Sequence, residues 1–339
     1  MSAPPALVEL TRGPIVEAIH RGDLAVVSAD GSMVASVGDP GRKLTYWRSS
    51  AKPFQAMPLV YTGAAERFGL DAADLALCSA SHQGEPMHTE RVLRILERIG
   101  CGPDDLRCGA HAPYDGPTAD ALRQAGDRPS ALHNNCSGKH AGMLVLARHL
   151  GAPAETYLEP DHPVQRAILA NVRLVTGLDE IATSVDGCGV PCFALSVERM
   201  ALAFARLMTP EALGEPFATA AGAIRDAMRT HPALVGGTGR FDTDLMREAK
   251  GRLVSKGGAS GVLCIGLDDG RGLALKIEDG AVTPGYSRGV AGIEALRQLG
   301  VLDDTTVRAL ASHARPQMRN VAGSVVGEAR PAFTLTVAS

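Results

Sequence analysis

Three of the six lysines in this 339-residue chain lie within two residues of a serine. They are found in residues 48–52 (RSSAK), 135–140 (NCSGKH) and 254–258 (VSKGG). Most of the positive charge comes from 28 arginines, which cannot release a proton in a protein, whereas a lysine amine that is made neutral can act as a base or a metal ligand. The pattern indicates amines with a chemical task, although a few leftover lysines in an arginine-rich chain would give the same composition.

Ser49 and Lys52 are three residues apart, and Pro53 is typical of the first turn of a helix. Residues three apart share one helix face, so the two side chains would meet. A desolvated lysine can take the proton of a serine nucleophile, and serine β-lactamases and penicillin-binding proteins use this spacing. A helix-capping serine followed by a solvated lysine has the same sequence, so the spacing alone leaves both interpretations open.

Residues 77–85 (LCSASHQGE) supply a second serine. We expect a short apolar strand that opens into polar residues, where Ser81 and His82 could act as a nucleophile and its helper; a turn held by serine hydroxyls is the alternative. Lys256 lies on a strand that returns after a helical region, as the K-T-G element of β-lactamases does. This position favours the pairing of Ser49 with Lys52 and of Ser81 with Lys256 at one site.

Two further segments, residues 133–140 (HNNCSGKH) and 186–192 (DGCGVPC), carry sulfur and nitrogen ligands of the kind that zinc selects. Cys136, Lys139 and His140 would share one helical face, and Cys136 could bind a metal together with Cys188 and either Cys192 or His140. The spacing matches no standard zinc-finger pattern, so buried free thiols are the alternative.

The composition limits the class of protein that positions these groups. Apolar residues make up 45% and charged residues 21% of the chain, with a formal net charge of −3, as in an ordinary globular protein. No basic stripe indicates nucleic-acid binding, and no apolar run is long enough to span a membrane. The start of the chain carries no secretory signal pattern. Seven cysteines without a secreted-domain spacing favour a reducing cytoplasm.

The order of predicted elements indicates an α+β fold. Short β-rich runs in residues 7–37 are separated by turn-like segments, of which residues 21–23 (RGD) are one. Helical periodicity then predicts long helices over residues 53–67 and 210–228, among others, and strands return from residue 252. We therefore expect residues 1–85 and 250–339 to form a sheet region and residues 86–249 a mostly helical insertion, together one compact catalytic unit.

Taken together, the polar segments resemble the asparaginase II family, the rhizobial-type L-asparaginases. The resemblance covers nearly the whole length and is carried by residues 48–53, 81–85, 133–140, 186–191, 239–243 and 255–258. It implies hydrolysis of L-asparagine to L-aspartate and ammonia, a fold similar to serine β-lactamases and glutaminases, and a homodimer.

The resemblance also implies roles for individual residues. Ser49 would be a nucleophile supported by Lys52, with Ser81 supported by Lys256, and either serine could carry the acyl group. Zinc would be held by Cys136, Lys139 and Cys188, with water completing the shell. Arg48 and Asp186 would hold the α-carboxylate and α-amino groups of the substrate, and His82 and His140 are assigned to the same substrate pocket.

Two other functions fit parts of the pattern. The first is a serine acyl-hydrolase of the β-lactam or penicillin-binding type. The second is a non-catalytic protein that binds zinc or an amino acid. Ammonia release from asparagine separates both from an asparaginase.

Overall fold

The computed structural model describes residues 3–280 and 285–338. Its strands are β1 (Ala6–Arg12), β2 (Ile15–Val27), β3 (Met33–Val37), β4 (Thr45–Tyr46), β5 (Thr183–Val185), β6 (Pro191–Leu195), β7 (Leu253–Gly258), β8 (Val262–Leu267), β9 (Gly272–Ile277), β10 (Gln317–Arg319), β11 (Val325–Pro331) and β12 (Thr336–Val337). Its α-helices are α1 (Lys52–Tyr61), α2 (Ala64–Arg67), α3 (Ala72–Cys78), α4 (Pro86–Arg98), α5 (Gly116–Ala125), α6 (Ser137–Leu150), α7 (Pro163–Thr176), α8 (Val197–Met208), α9 (Phe217–Thr230), α10 (Pro232–Val235), α11 (Phe241–Glu248), α12 (Arg288–Gln298), α13 (Asp304–Ala309) and α14 (Ala311–Ala314). Short 3₁₀ turns cover Arg48–Ala51, Pro103–Asp105, Ala131–His133, Ala154–Thr156 and Pro210–Leu213.

These elements belong to two compact units. The first contains residues up to Ser50, Leu195–Ala205 and the residues from Asp244 onward. The second contains Ala51–Ala194 and Arg206–Thr243. The predicted boundaries at residues 85 and 250, and the idea of one catalytic unit, stay predictions.

The first unit is built on an antiparallel sheet of nine strands. The order β10-β11-β1-β2-β9-β8-β7 forms its main path, and β3 pairs with β2 and β12. Strands β7 and β8 are buried along their whole length. Strand β8 is a near-continuous apolar run, whereas β7 buries the polar residues Ser255 and Lys256. N-terminal and C-terminal segments therefore share one sheet, and the predicted α+β class is confirmed.

One predicted turn in this sheet is wrong. Residues 21–23 are not a turn but the middle of β2, where Gly22 pairs with Ile277 of β9. A side-chain carbon at Gly22 would collide with the carbonyl oxygen of Lys276. The glycine therefore allows a close approach of two strands, which produces the same sequence signal as a turn.

The second unit is mostly helical, and its helices α1 and α6 are buried over most of their length. Every residue from Lys52 to Leu59 is buried in α1, as is every residue from Ser137 to Ala147 in α6. A β-hairpin, β5 with β6, also lies in this unit. Its turn contains Gly189 in the left-handed region at φ 89°, a conformation that glycine adopts without strain.

Three predicted elements of this unit differ from the structure. Residues 77–78 end helix α3 instead of forming a strand, and Asp71 and Asp74 form a capping box at its start. The helix predicted over 53–67 ends at Tyr61, and α2 begins after Gly63, which has φ 81°. The helix predicted over 210–228 is broken into Pro210–Leu213 and α9, because Gly214 and Pro216 separate them and proline cannot continue a helix.

Asp74 supports a prediction about the stability of the second unit. Its side chain is 1% exposed and accepts hydrogen bonds from Arg91 and Arg98, each at 2.6 Å. Asp74→Ala removes the carboxylate that Arg91 and Arg98 share, but both guanidinium groups are partly exposed and Arg91 keeps Asp71. We therefore expect a loss of about 1–3 kcal/mol in the free energy of unfolding. Urea denaturation measures it. Asp120→Ala removes an exposed ion pair with Arg123 and should cost less than about 1 kcal/mol; equal losses would contradict the prediction.

Candidate active site

A fully buried lysine contacts a serine in the second unit. Lys52, the first residue of α1, donates from Nζ to Ala80 O at 2.6 Å, Ser81 Oγ at 2.9 Å and Asn135 O at 3.4 Å. The two carbonyl oxygens can only accept, so they orient the amine. With two N–H groups directed at the carbonyl oxygens, the remaining position on Nζ faces Ser81. It carries a proton when the amine is charged and a lone pair when the amine is neutral. This is the geometry that a lysine base needs for a serine hydroxyl.

The position of Ser81 depends on helix packing. Ser81 lies in the loop after α3, where its N–H donates to Val235 O at 3.0 Å, and the N–H of His82 donates to Asn135 O at 3.2 Å. Helix α6 packs against the end of α3 without side chains at its contact points. A side-chain carbon at Gly138 would collide with Leu77 O, and one at Gly142 would lie 2.9 Å from Cys78 Sγ. The two glycines therefore bring the start of α6 close to Ser81.

The start of α6 carries a sulfur and nitrogen cluster with the β5–β6 turn. Cys136 precedes α6, Lys139 lies in its first turn and Cys188 lies in the hairpin turn; all three are buried. Lys139 Nζ is 2.9 Å from Cys188 Sγ, and that sulfur is 3.8 Å from Asp186 Oδ2. Three of the residues that the sequence suggested as ligands are therefore neighbours in the fold.

The titratable groups of this cluster shift one another's pKa values. A hydrogen bond from Cys188 lowers the pKa of Cys136 well below that of an ordinary thiol against the effect of burial, and the charges of Lys52 and Lys139 act in the same direction. The hydrogen bond to Cys136, together with burial, raises the pKa of Cys188. Burial alone would lower the pKa of Lys139, but the charges of Cys188, Cys136 and Asp186 raise it. These shifts favour a thiolate on Cys136, a thiol on Cys188 and an ammonium group on Lys139.

The donor set fits zinc by chemistry. Two thiol sulfurs and an amine are ligands of the type that zinc binds. Among residues 3–280 and 285–338, no three His, Cys, Asp or Glu side chains group closely enough to hold a metal, so a zinc site here would need Lys139 as the third donor. The 2.9 Å contact between Lys139 and Cys188 is a hydrogen bond; binding a metal would require Lys139 to release its proton.

The two predicted substrate-binding histidines are both fully buried. His82 uses its two ring nitrogens within the protein, on Ser137 Oγ at 3.0 Å and on the N–H of Gly84 at 3.1 Å. His140 Nδ1 is 2.6 Å from the hydroxyl of Tyr157, and its Nε2 is buried with no hydrogen-bond partner among the described residues. His140 thus keeps one ring nitrogen that is not used within the described part of the protein. The predicted contacts of His82 and His140 with substrate stay predictions.

The remaining predicted residues lie in the first unit. Arg48 has φ 53°, a conformation that costs energy for a side chain with a Cβ and is often found at functional sites; its Nη1 donates to Ser260 Oγ at 3.3 Å. Ser50 is fully buried and donates to the carbonyl oxygen of Lys256 at 2.7 Å, whereas Ser49 is half-buried. Of the two adjacent serines, Ser49 is therefore the accessible one.

Lys256 lies on β7 next to this segment. Its Nζ donates to Gly257 O at 2.8 Å. A side-chain carbon at Gly258 would lie 2.9 Å from Trp47 O, so the end of β7 packs directly on the backbone before Ser49. Because Ser49 and Lys256 belong to the first unit and Lys52 and Ser81 to the second, the predicted pairs Ser49–Lys52 and Ser81–Lys256 stay predictions. The pair that the structure shows is Lys52 with Ser81.

The sequence analysis did not identify the residues that tie the segment after Ser81 to Thr238. Glu85 accepts from the N–H and the hydroxyl of Thr238, both at 2.8 Å, and Gln83 Nε2 donates to Thr238 O at 2.8 Å. The only sequence signal for these hydrogen bonds was the glycine-rich run of residues 236–239. Tyr157 was also missed, because a single tyrosine between helices carries no motif.

Comparison with known proteins settles the family. A sequence model described as L-asparaginase II matches residues 8–331. The chain belongs to the L-asparaginase II family. This confirms the resemblance inferred from the polar segments. No individually curated protein matches the chain significantly.

Several solved structures are similar at low sequence identity. Mglu in its native form is 13% identical with a TM-score of 0.44, and the match covers 85% of this chain but only 63% of that one. A presumed β-lactamase from Bacteroides dorei is 13% identical, with a TM-score of 0.44 and coverage of 81% of this chain and 92% of that one. A β-lactamase from Mycobacterium bovis is 14% identical, with a TM-score of 0.38 and coverage of 82% and 94%. The family assignment rests on the sequence match and not on these similarities.

No helix in the described part of the chain has the length and apolar character needed to cross a membrane. The predicted cytoplasmic location and homodimer are separate questions and stay predictions.

Proposed function

We propose that the protein is an L-asparaginase that hydrolyses the side-chain amide of L-asparagine through an acyl-enzyme on a serine. Membership of the L-asparaginase II family supports the substrate class. The observation that carries the mechanism is the 2.9 Å contact between Lys52 Nζ and Ser81 Oγ at a fully buried amine.

In the proposed reaction, neutral Lys52 takes the proton of a serine hydroxyl as the oxygen attacks the amide carbon. The carbon–nitrogen bond breaks, and ammonia leaves after Lys52 returns a proton to the amide nitrogen. Water then hydrolyses the ester to aspartate, with Lys52 acting again as base and acid. The 2.9 Å contact favours Ser81 as the hydroxyl that Lys52 deprotonates. Ser49 is retained as the second nucleophile candidate, and Lys256 as the proposed support of Ser81.

We also propose that Cys136, Lys139 and Cys188 hold a zinc ion beside this serine–lysine pair. The charge of Lys52 acts on Cys136, and Asn135, the residue before Cys136, accepts a hydrogen bond from Lys52. A bound zinc would supply positive charge that fixes the start of α6 and orients the substrate. Asp186, 3.8 Å from Cys188, is proposed to receive the substrate amino group, and Arg48 its carboxylate.

The first experiment measures ammonia release from L-asparagine by the purified protein, beside nitrocefin turnover as the test for a β-lactam hydrolase. We expect ammonia and no nitrocefin hydrolysis. Nitrocefin turnover alone would support the acyl-hydrolase alternative, and neither activity would support a non-catalytic binding protein.

Ser49→Ala and Ser81→Ala then identify the nucleophile. The variant that lacks the nucleophile should lose turnover by about 10⁴-fold or more, as in other hydrolases that act through a serine. Mass spectrometry of protein quenched during turnover locates the acyl group on one serine peptide. Near-normal activity in both variants would contradict a serine mechanism.

A further inference from the structure

The imidazole of His82 lies between the Ser81 loop and the start of α6. His82 is fully buried. Its Nε2 is 3.0 Å from Ser137 Oγ, and its Nδ1 is 3.1 Å from the backbone nitrogen of Gly84. Ser137 is the residue after Cys136, and Ser81 is the residue before His82. One ring therefore joins the segment that carries the serine to the segment that carries the sulfur and nitrogen cluster.

The hydrogen bonds allow this ring only one form. Ser137 Oγ has a single proton, which it donates to Leu132 O at 2.8 Å, so it must accept a proton from His82 Nε2. The N–H of Gly84 can only donate, so His82 Nδ1 must carry a lone pair. His82 is thus a neutral imidazole with its proton on Nε2. Burial, followed by the charges of His88 and Lys52, lowers the pKa of His82 well below its ordinary value, which agrees with this form.

The face of the His82 ring packs against a second histidine, His88. The rings of His82 and His88 stack with centroids 4.8 Å apart and planes inclined by 11°. His88 Nε2 lies 3.1 Å from Ala233 O in α10. The same helix accepts the N–H of Ser81 through Val235 O at 3.0 Å. The stack therefore fixes His82 against the element that also holds the backbone of Ser81.

The backbone of His82 also shares a hydrogen-bond acceptor with Lys52. The N–H of His82 donates to Asn135 O at 3.2 Å, and that oxygen also receives a hydrogen bond from Lys52 Nζ at 3.4 Å. A shift of the Ser81 loop away from α6 would change the carbonyl that orients the amine and the hydroxyl that the amine contacts. Misplacement by about 1 Å can cost about 100-fold in rate.

We propose that His82 is a positioning residue that holds Ser81 against Lys52 by tying the Ser81 loop to Ser137 at the start of α6. His82 does not contact the reacting atoms in this proposal; it acts through the two segments that it joins. The proposal rests on the proposed serine–lysine mechanism and adds a residue that the sequence had assigned to substrate binding.

The test compares His82→Ala, His82→Gln, Ser137→Ala and the double variant His82→Ala with Ser137→Ala. Two rates are measured: kcat for asparagine, and labelling of Ser81 by a fluorophosphonate, located by peptide mass spectrometry. We expect His82→Ala to lower both rates by about 10- to 100-fold with KM unchanged. Gln keeps a donor near the position of Nε2, so His82→Gln should recover part of the loss. The double variant should be no slower than His82→Ala, because both changes break the same hydrogen bond.

His162 offers a matched control in the same unit. It is buried, accepts the N–H of Val164 on Nδ1 at 3.2 Å and lies 2.9 Å from Pro153 O through Nε2, which is the same pattern without a link to Ser81. His162→Gln should lower the thermal unfolding temperature but leave kcat and Ser81 labelling unchanged. Thermal unfolding of all variants separates loss of fold from loss of positioning.

Several results would overturn the proposal. These are wild-type rates in His82→Ala, additive losses in the double variant, equal rate losses in His162→Gln, or no labelling of Ser81 in the wild-type protein. If the wild type labels at Ser81 but releases no ammonia from asparagine, the proposed substrate is wrong, and the labelling rates still decide the role of His82.

Discussion

Lys52→Met should lower turnover of asparagine by about 10²- to 10⁴-fold, the range that a positioned general base contributes. Methionine is similar in length and apolar, so it can occupy the buried position of Lys52 while removing the amine. The carbonyl oxygens of Ala80 and Asn135 and the hydroxyl of Ser81 then lose their shared partner. Steady-state kinetics measure the loss, and circular dichroism checks that the fold is kept.

Lys52→Arg separates the base from the charge. Arginine keeps a positive charge but has no lone pair to accept a proton, so we expect activity as low as in Lys52→Met. Lys43→Arg is the control, because the Lys43 side chain is 65% exposed and 3.6 Å from Glu278 in a surface ion pair. That variant should keep wild-type kinetics. A folded Lys52→Arg protein with substantial activity would mean that Lys52 supplies charge and not proton transfer.

Loss of bound zinc is the second large expected effect. We expect the purified protein to carry about one zinc ion per chain, as a structural or catalytic zinc site does. Cys136→Ser, Cys188→Ser and Lys139→Arg should each lose most of it, since each removes one of three protein ligands and arginine has no lone pair to replace the amine. Inductively coupled plasma mass spectrometry measures the metal content after dialysis.

Lys139→Arg is the most informative of these variants because it retains the charge that the cluster of Cys136, Cys188 and Asp186 stabilises. A metal-free but folded Lys139→Arg protein would identify Lys139 as a ligand instead of a counter-ion. Cys101→Ser, at a half-buried thiol 3.7 Å from the Arg148 side chain, is the control and should leave zinc content unchanged. Full zinc content in Lys139→Arg, or full activity after removal of zinc, would contradict the proposed role.

Local signals in the sequence predicted most elements well. Periodicity predicts a helix over residues 164–176, and apolar runs predict strands over residues 261–266 and 273–277. The structure has α7 at Pro163–Thr176, β8 at Val262–Leu267 and β9 at Gly272–Ile277, each within one residue of the predicted bounds. Errors arose where one residue type serves two purposes. Gly22 predicts a turn, but in the structure it allows β2 to approach Lys276 closely. Residues 77–78 predict a strand, but they end a helix whose start is capped by Asp71 and Asp74.

The sequence alone determined the family and the chemical types of the site residues, because Ser81, Lys52, Cys136, Lys139 and Cys188 lie in short polar segments of unusual composition. It could not determine which residues pair. Local spacing suggested Ser49 for Lys52, a pairing that stays a prediction, and it gave no sign of the contact between Lys52 and Ser81, 29 residues away. That contact depends on the close packing of α6 on α3 at Gly138 and Gly142 and on the buried ring of His82. Contacts between distant residues follow from how helices pack, and only the tertiary structure contains that information.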